Sequence, residues 1–319
     1  MAKQLQSKRI LNDNFIFHLQ KDFLKPILQA VLDDNNLILE IRQNYINIYY
    51  RGGNLLKLKQ TNDGYIAEFD AKYCKNEKYQ KMVHDIIEVK TIKSLNESIH
   101  WADNFHFLKQ VMDYYNNSNE KLEKEFQQLV VRENNRLRSA NDTDYYIIDF
   151  EYTSNVMKDA RFDLIALRWD STPNDRKNPN NCSLAIIEMK YGDDALDNDS
   201  GIKSHIDDVD KFLGNKEYFE NFKTEMLDVF KQKRELGLIR LGKSSKKENN
   251  NEVVSINDKP EFIFLFAGHK PVKSKLKTII DHVEPMKNAE LKFATASFMG
   301  YSLYNENVLS LSDFKRLLK

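Results

Sequence analysis

The ten residues SLAIIEMKYG, positions 183–192, constrain this chain more than any other stretch. Small and branched apolar residues fill the run, as in a buried strand, and it then ends in two charges, Glu188 and Lys190. Side chains alternate along a strand, so Glu188 and Lys190 point the same way as Leu184 and Ile186. Ala185, Ile187 and Met189 occupy the other face. Both faces are apolar, which leaves no solvated side for a Glu/Lys pair to decorate. ARFDLIALRWD (160–170) repeats the arrangement, with Asp163 on the face of Ile165 and Leu167, and Phe162, Leu164 and Ala166 opposite.

A lone charge in such a setting costs several kcal/mol, and two neighbouring carboxylates also repel. A divalent cation between Asp163 and Glu188, with Lys190 alongside, is the cheapest resolution. Mg²⁺ or Mn²⁺ takes oxygen ligands, and the main-chain carbonyl of Met189 is a natural extra one. Such an ion activates water and offsets charge on a phosphate oxygen. Lys190 could orient or deprotonate that water, or steady charge developing on phosphorus.

The surrounding order supplies the fold expectation. Residues 14–33 space apolar residues as a helix that Pro26 bends or divides. NLILEIRQNYINIYYRGGNLLKLKQTNDGYIAEFD holds four short β-rich runs between turn signals, an antiparallel meander. Residues 76–116 read as mostly helical, and the polar NNSNE (116–120) is a candidate boundary. Then come an amphipathic helix (NEKLEKEFQQLVVRENNRLR) and three strands, 144–153, 160–170 and 183–192. Asn155–Ala160 could close a hairpin between the first two strands. Two helices (200–213, capped by Ser200, and 216–236), a polar insertion near 242–260 and a buried strand (261–269) follow. A short strand and a final helix close the chain. A helical crossover implies that the strands it joins lie parallel in one sheet covered on both faces.

Helix, hairpin, strand with Asp163, strand with Glu188-x-Lys190, then helix resembles the PD-(D/E)xK nuclease superfamily. The resemblance covers roughly residues 119–270, with Phe162 where a proline often precedes the aspartate. It implies a restriction-endonuclease-like domain over 118–319, a mixed sheet flanked by helices in the α/β (α+β) class. An N-terminal α+β module with the meander would occupy 1–117. The implied activity is Mg²⁺- or Mn²⁺-dependent hydrolysis of DNA phosphodiesters, in a setting such as repair, restriction or defence against phage. Position by position, Asp163 matches the metal-binding aspartate, Glu188 the second acidic ligand and Lys190 the catalytic lysine.

Further residues carry two readings each. Glu151 is a third acidic ligand beside Asp163 or a solvated strand-end carboxylate. Glu123 and Gln127, one helical turn apart, could face the site, since members of this superfamily often use an acid there; Glu125 and Glu133 are rivals. His205 and Asp208 fall where some relatives carry a polar residue that reaches the site. His269, Lys270, Lys273 and Lys275 form a phosphate-contact patch or a solvated face, and so do Lys231, Lys233, Arg234 and Arg240. Arg51 with Tyr45, Tyr49 and Tyr50 could meet a nucleic-acid strand, but a glycine turn between packed strands is the preferred reading.

Composition narrows the partners. Lysine plus arginine and aspartate plus glutamate each number 48, so no global field draws the chain to a polyanion or a membrane, and any such partner needs a local patch. Cys74 and Cys182 form no metal spacing and suggest a reducing compartment. With no apolar leader and no long apolar run, a cytoplasmic protein without a membrane partner is expected, and a homo-oligomer is possible. Two rival functions stay open: a non-catalytic descendant that binds nucleic acid or protein, and a hydrolase of small phosphodiesters.

Overall fold

A computed structural model of the protein describes residues 9–154, 160–192, 195–197, 201–240, 255–267, 275–296 and 308–319. The chain is mixed α+β with two sheets, one antiparallel and five-stranded, the other mixed and six-stranded. It divides into two compact units, Lys8–Gln128 with Gln232–Ile239, and Leu129–Lys231 with Arg240–Lys319.

The first unit opens with helices α1 (Asp13–Lys21) and α2 (Lys25–Asp33). The Asn12 side chain caps α1 by accepting the Phe15 N–H, and Pro26 sits in the first turn of α2, where its missing N–H costs nothing. Strands β1 (Ile38–Arg42), β2 (Tyr45–Tyr50), β3 (Gly53–Thr61) and β4 (Gly64–Glu68) form the expected meander. After α3 (Glu77–Ile87), a two-residue β5 (Thr91–Ile92) adds a fifth strand beside β4. Alternation buries Leu39, Ile41, Ile46, Ile48, Leu56 and Leu58 on one face. Helix α4 (Leu95–Asp103), with a Ser94/Glu97 capping box, and α5 (Phe105–Asn116) follow.

The turn from β2 to β3 shows why it contains glycine. Gly52 has φ +68°, and a Cβ there would stand 2.5 Å from the Cβ of Lys124. Lys124 belongs to α6 (Leu122–Asn135), and Gln128 of the same helix accepts the Gly52 N–H at 2.7 Å. Arg51 is held by Asp113 and by both oxygens of Glu125, so it and its tyrosine neighbours form a packed turn, the plain reading.

In the second unit β6 (Tyr145–Thr153), β7 (Arg161–Arg168) and β8 (Ser183–Tyr191) run antiparallel. Helices α7 (Ile202–Gly214) and α8 (Lys216–Glu235) then carry the chain to β9 (Glu261–Ala267), parallel to β8 as the crossover rule requires. The cap of α7 is Gly201, with no side-chain cap bond; Ser200 lies outside the described residues. The remainder comprises α9 (Leu276–Ile280), β10 (Glu290–Ala296) parallel to β9, a two-residue β11 (Leu309–Ser310) and α10 (Leu311–Leu317). The sheet order is β11-β10-β9-β8-β7-β6. Phe266, Phe293 and Phe314 stack between β9, β10 and α10, and Phe162 meets Phe212 and Phe222 of α7 and α8. No described helix is long and apolar enough to cross a membrane.

One of the basic residues expected on a solvated or phosphate-binding face is not there. Lys233 is buried, with its ammonium 2.7 Å from both carboxylate oxygens of the fully buried Glu40. A buried cation is affordable only with such a partner, and that partner lies 193 residues away in the chain.

Candidate active site

The ladder between β7 and β8 ends at Leu164↔Ile187. Beyond that point β7 stays paired with β6 as far as Thr153↔Arg161, and β8 stays paired with β9 as far as Tyr191↔Ala267. The sheet therefore forks, and the fork carries the charged residues. Continuing the register by one step sets Asp163 opposite Glu188. In place of the lost ladder bond, Asp163 Oδ2 accepts the Met189 N–H at 2.9 Å. The N–H and C=O of one strand residue point to the same edge, so the Met189 carbonyl also faces the Asp163 tine.

Glu188 and Lys190 are 6% and 5% exposed, as two charges in a doubly covered strand must be. Lys190 Nζ donates to Glu188 Oε1 at 2.9 Å, and His205 Nε2 of α7 lies 3.0 Å from the same oxygen. Part of the charge offset that the sequence assigned to a cation is thus supplied by Lys190. Asp208, by contrast, is exposed. Among the described residues, no group of three or more His, Cys, Asp and Glu side chains is gathered to hold a metal.

Glu151 lies opposite Asp163, bracketed by the pairs Phe150↔Leu164 and Tyr152↔Phe162. Its φ is +55°, the left-handed region that a glutamate rarely adopts. Its neighbours enforce it: Phe150 and Tyr152 are buried, Tyr152 stacks on Phe162, and its hydroxyl donates to Glu225 at 3.0 Å. Non-glycine residues in strained conformations concentrate at functional sites.

Glu123 and Gln127 lie on α6, the first half-buried and the second buried. Their rivals are engaged, Glu125 by Arg51 and Glu133 by Arg132. Lys275 precedes α9 and pairs with Asp197 at 3.3 Å, while His269, Lys270 and Lys273 lie outside the described residues.

Sequence reasoning passed over Asp149, which is fully buried in β6 and paired with Ile165, on the face shared with Asp163. The same signal that marked Asp163, an acid inside an apolar run, was present in DYYIIDFEYT. A register shift between Ile147 and Asp149 sets its facing, and the Asn135 side chain secures Ile147 there by bonding to both its N–H and its carbonyl. The chain matches no protein-family model, no curated protein and no solved structure.

Proposed function

We propose that the chain is a metal-dependent nuclease that hydrolyses phosphodiester bonds of nucleic acid, DNA first, through a restriction-endonuclease-like second unit. One observation carries the reading: the sheet opens where two carboxylates, a main-chain carbonyl and a buried lysine meet. The donor set fits a hard cation. Asp163, Glu188 and the Met189 carbonyl offer only oxygen, and Mg²⁺, which keeps several waters, needs one or two protein carboxylates. When bound, Mg²⁺ or Mn²⁺ supplies electrostatic stabilisation of charge on the phosphate and lowers the pKa of water.

The protein's own groups do the rest. Asp163 is fixed by the Met189 N–H, so its second oxygen has a defined direction. Lys190 holds Glu188 through Oε1, and His205 Nε2 lies 3.0 Å from the same oxygen. Lys190, kept in a dry position as the ammonium that donates to Glu188, orients the attacking water and faces the charge developing on phosphorus. Glu151, across from Asp163, is the remaining carboxylate of the fork.

A second reading has an observation in its favour. Glu188 is already matched by Lys190, so the same fork is tolerable in a protein that binds nucleic acid without cutting it. The test is incubation with single- and double-stranded DNA and RNA, with and without Mn²⁺, beside Lys190→Ala and Asp163→Ala. Cleavage lost in both variants supports the nuclease; binding with no cleavage in any metal favours the second reading.

A further inference from the structure

Resting on the nuclease reading, we propose that Arg161 anchors the phosphate next to the scissile one, so that the substrate is a polynucleotide strand and not an isolated phosphodiester. Arg161 opens β7 two residues before Asp163, and strand alternation puts both side chains on one face. Two residues of strand span about 6.6 Å, a step that a long guanidinium side chain easily adjusts to reach a neighbouring phosphate. The residue sits outward of Asp163 on the open tine. There β7 is still paired with β6 at Thr153↔Arg161 and Ser154 N–H bonds to the Ala160 carbonyl at 2.9 Å, while β8 has already parted.

The backbone beneath it is firmly placed, because the adjacent Phe162 packs on Tyr152, Phe212 and Phe222. The residue is exposed, and no described residue forms an ion pair or hydrogen bond with its guanidinium. Other arginines are engaged: Arg51 by Asp113 and Glu125, Arg168 by Asp170 and Glu261, Arg176 by Tyr146 and Arg316 by Asp313. An uncommitted planar fork of donors beside a phosphodiester site is suited to bidentate phosphate contact. A single diester would engage only Lys190 and a cation held by Asp163 and Glu188; a strand also presents its next phosphate to Arg161.

The test compares the full-length protein with Arg161→Ala and Arg161→Lys. Binding of a labelled DNA oligonucleotide is followed by fluorescence anisotropy across a salt series, in a Lys190→Met background that does not turn over. Hydrolysis of the same DNA and of bis(p-nitrophenyl) phosphate is measured in Mn²⁺ with Lys190 intact. Arg161→Ala is expected to weaken DNA binding roughly tenfold and to lower the slope of log K against log salt by about 0.7–0.9. KM for DNA rises with kcat unchanged, the small diester is hydrolysed as before, and Arg161→Lys keeps the salt slope. If the protein cleaves DNA and Arg161→Ala leaves both affinity and slope unaltered, this inference fails alone. Turnover of the small diester without binding or cleavage of DNA overturns it in favour of a small-phosphodiester hydrolase. No turnover of either substrate in any metal removes the nuclease reading, and this inference with it.

Discussion

Asp163 Oδ2 accepts the main-chain N–H of Met189 at 2.9 Å, so a side chain of β7 replaces the ladder bond where the two strands part. Structural and chemical roles of Asp163 are therefore separable. Asp163→Asn retains an acceptor and should unfold within about 1 kcal/mol of the parent in urea. It should nevertheless lose at least about 100-fold in DNA cleavage. Asp163→Ala strands the Met189 N–H and should lose a further 1.5–3 kcal/mol or so. An Asn variant that cuts normally would remove Asp163 from the chemistry.

Glu188 and Lys190 are buried together as an ion pair, with His205 Nε2 3.0 Å from the carboxylate. Lys190→Met should destabilise by about 3–5 kcal/mol, the cost of a buried carboxylate that loses its cation. The double variant Glu188→Gln/Lys190→Met should recover much of that loss yet stay inactive. Denaturant unfolding and cleavage assays on these two variants, the single Glu188→Gln variant and the parent close the cycle.

Glu151 occupies a conformation that glycine adopts freely. Glu151→Gly should match the parent in stability or exceed it by up to about 1 kcal/mol, while cleavage falls. Stability gained with activity lost is the signature of strain kept for function. Full activity in this variant would reduce Glu151 to a bystander.

Glu40 and Lys233 obey the same burial physics with no chemistry attached. Lys233→Met removes the ammonium 2.7 Å from both oxygens of the buried Glu40 and should cost on the order of 3 kcal/mol in urea unfolding. A change below about 0.5 kcal/mol would mean that the pair is not formed as described.

Acid sensitivity should trace partly to Asp34 and Glu97. Burial alone would raise the Asp34 carboxyl, but hydrogen bonds from Lys109 and from the Asn36 N–H outweigh it and hold it below the ordinary range. The Lys93 N–H is the main reason that Glu97 is lowered too. A carboxyl lowered in the folded state contributes its stability above the unfolded pKa, about 4, and loses it as pH falls through the folded value. Urea stability should thus decline below about pH 4, and Asp34→Asn should start less stable but decline less steeply. An unchanged pH slope in that variant would exclude Asp34 as a contributor.

What the sequence by itself determined is what periodicity and chain order can encode. Alternation in SLAIIEMKYG and ARFDLIALRWD put Asp163, Glu188 and Lys190 on matching faces, Pro26 divided the first helical stretch, and the crossover helices made β8 and β9 parallel. Tertiary structure alone decided where β7 leaves β8, that His205 reaches Glu188, that Lys233 is swallowed beside Glu40, and that Arg161 has no carboxylate partner among the described residues. These outcomes depend on desolvation and on partners remote in the chain. A charged letter reads the same in a sequence whether packing later sets it in water or against an ion of opposite sign.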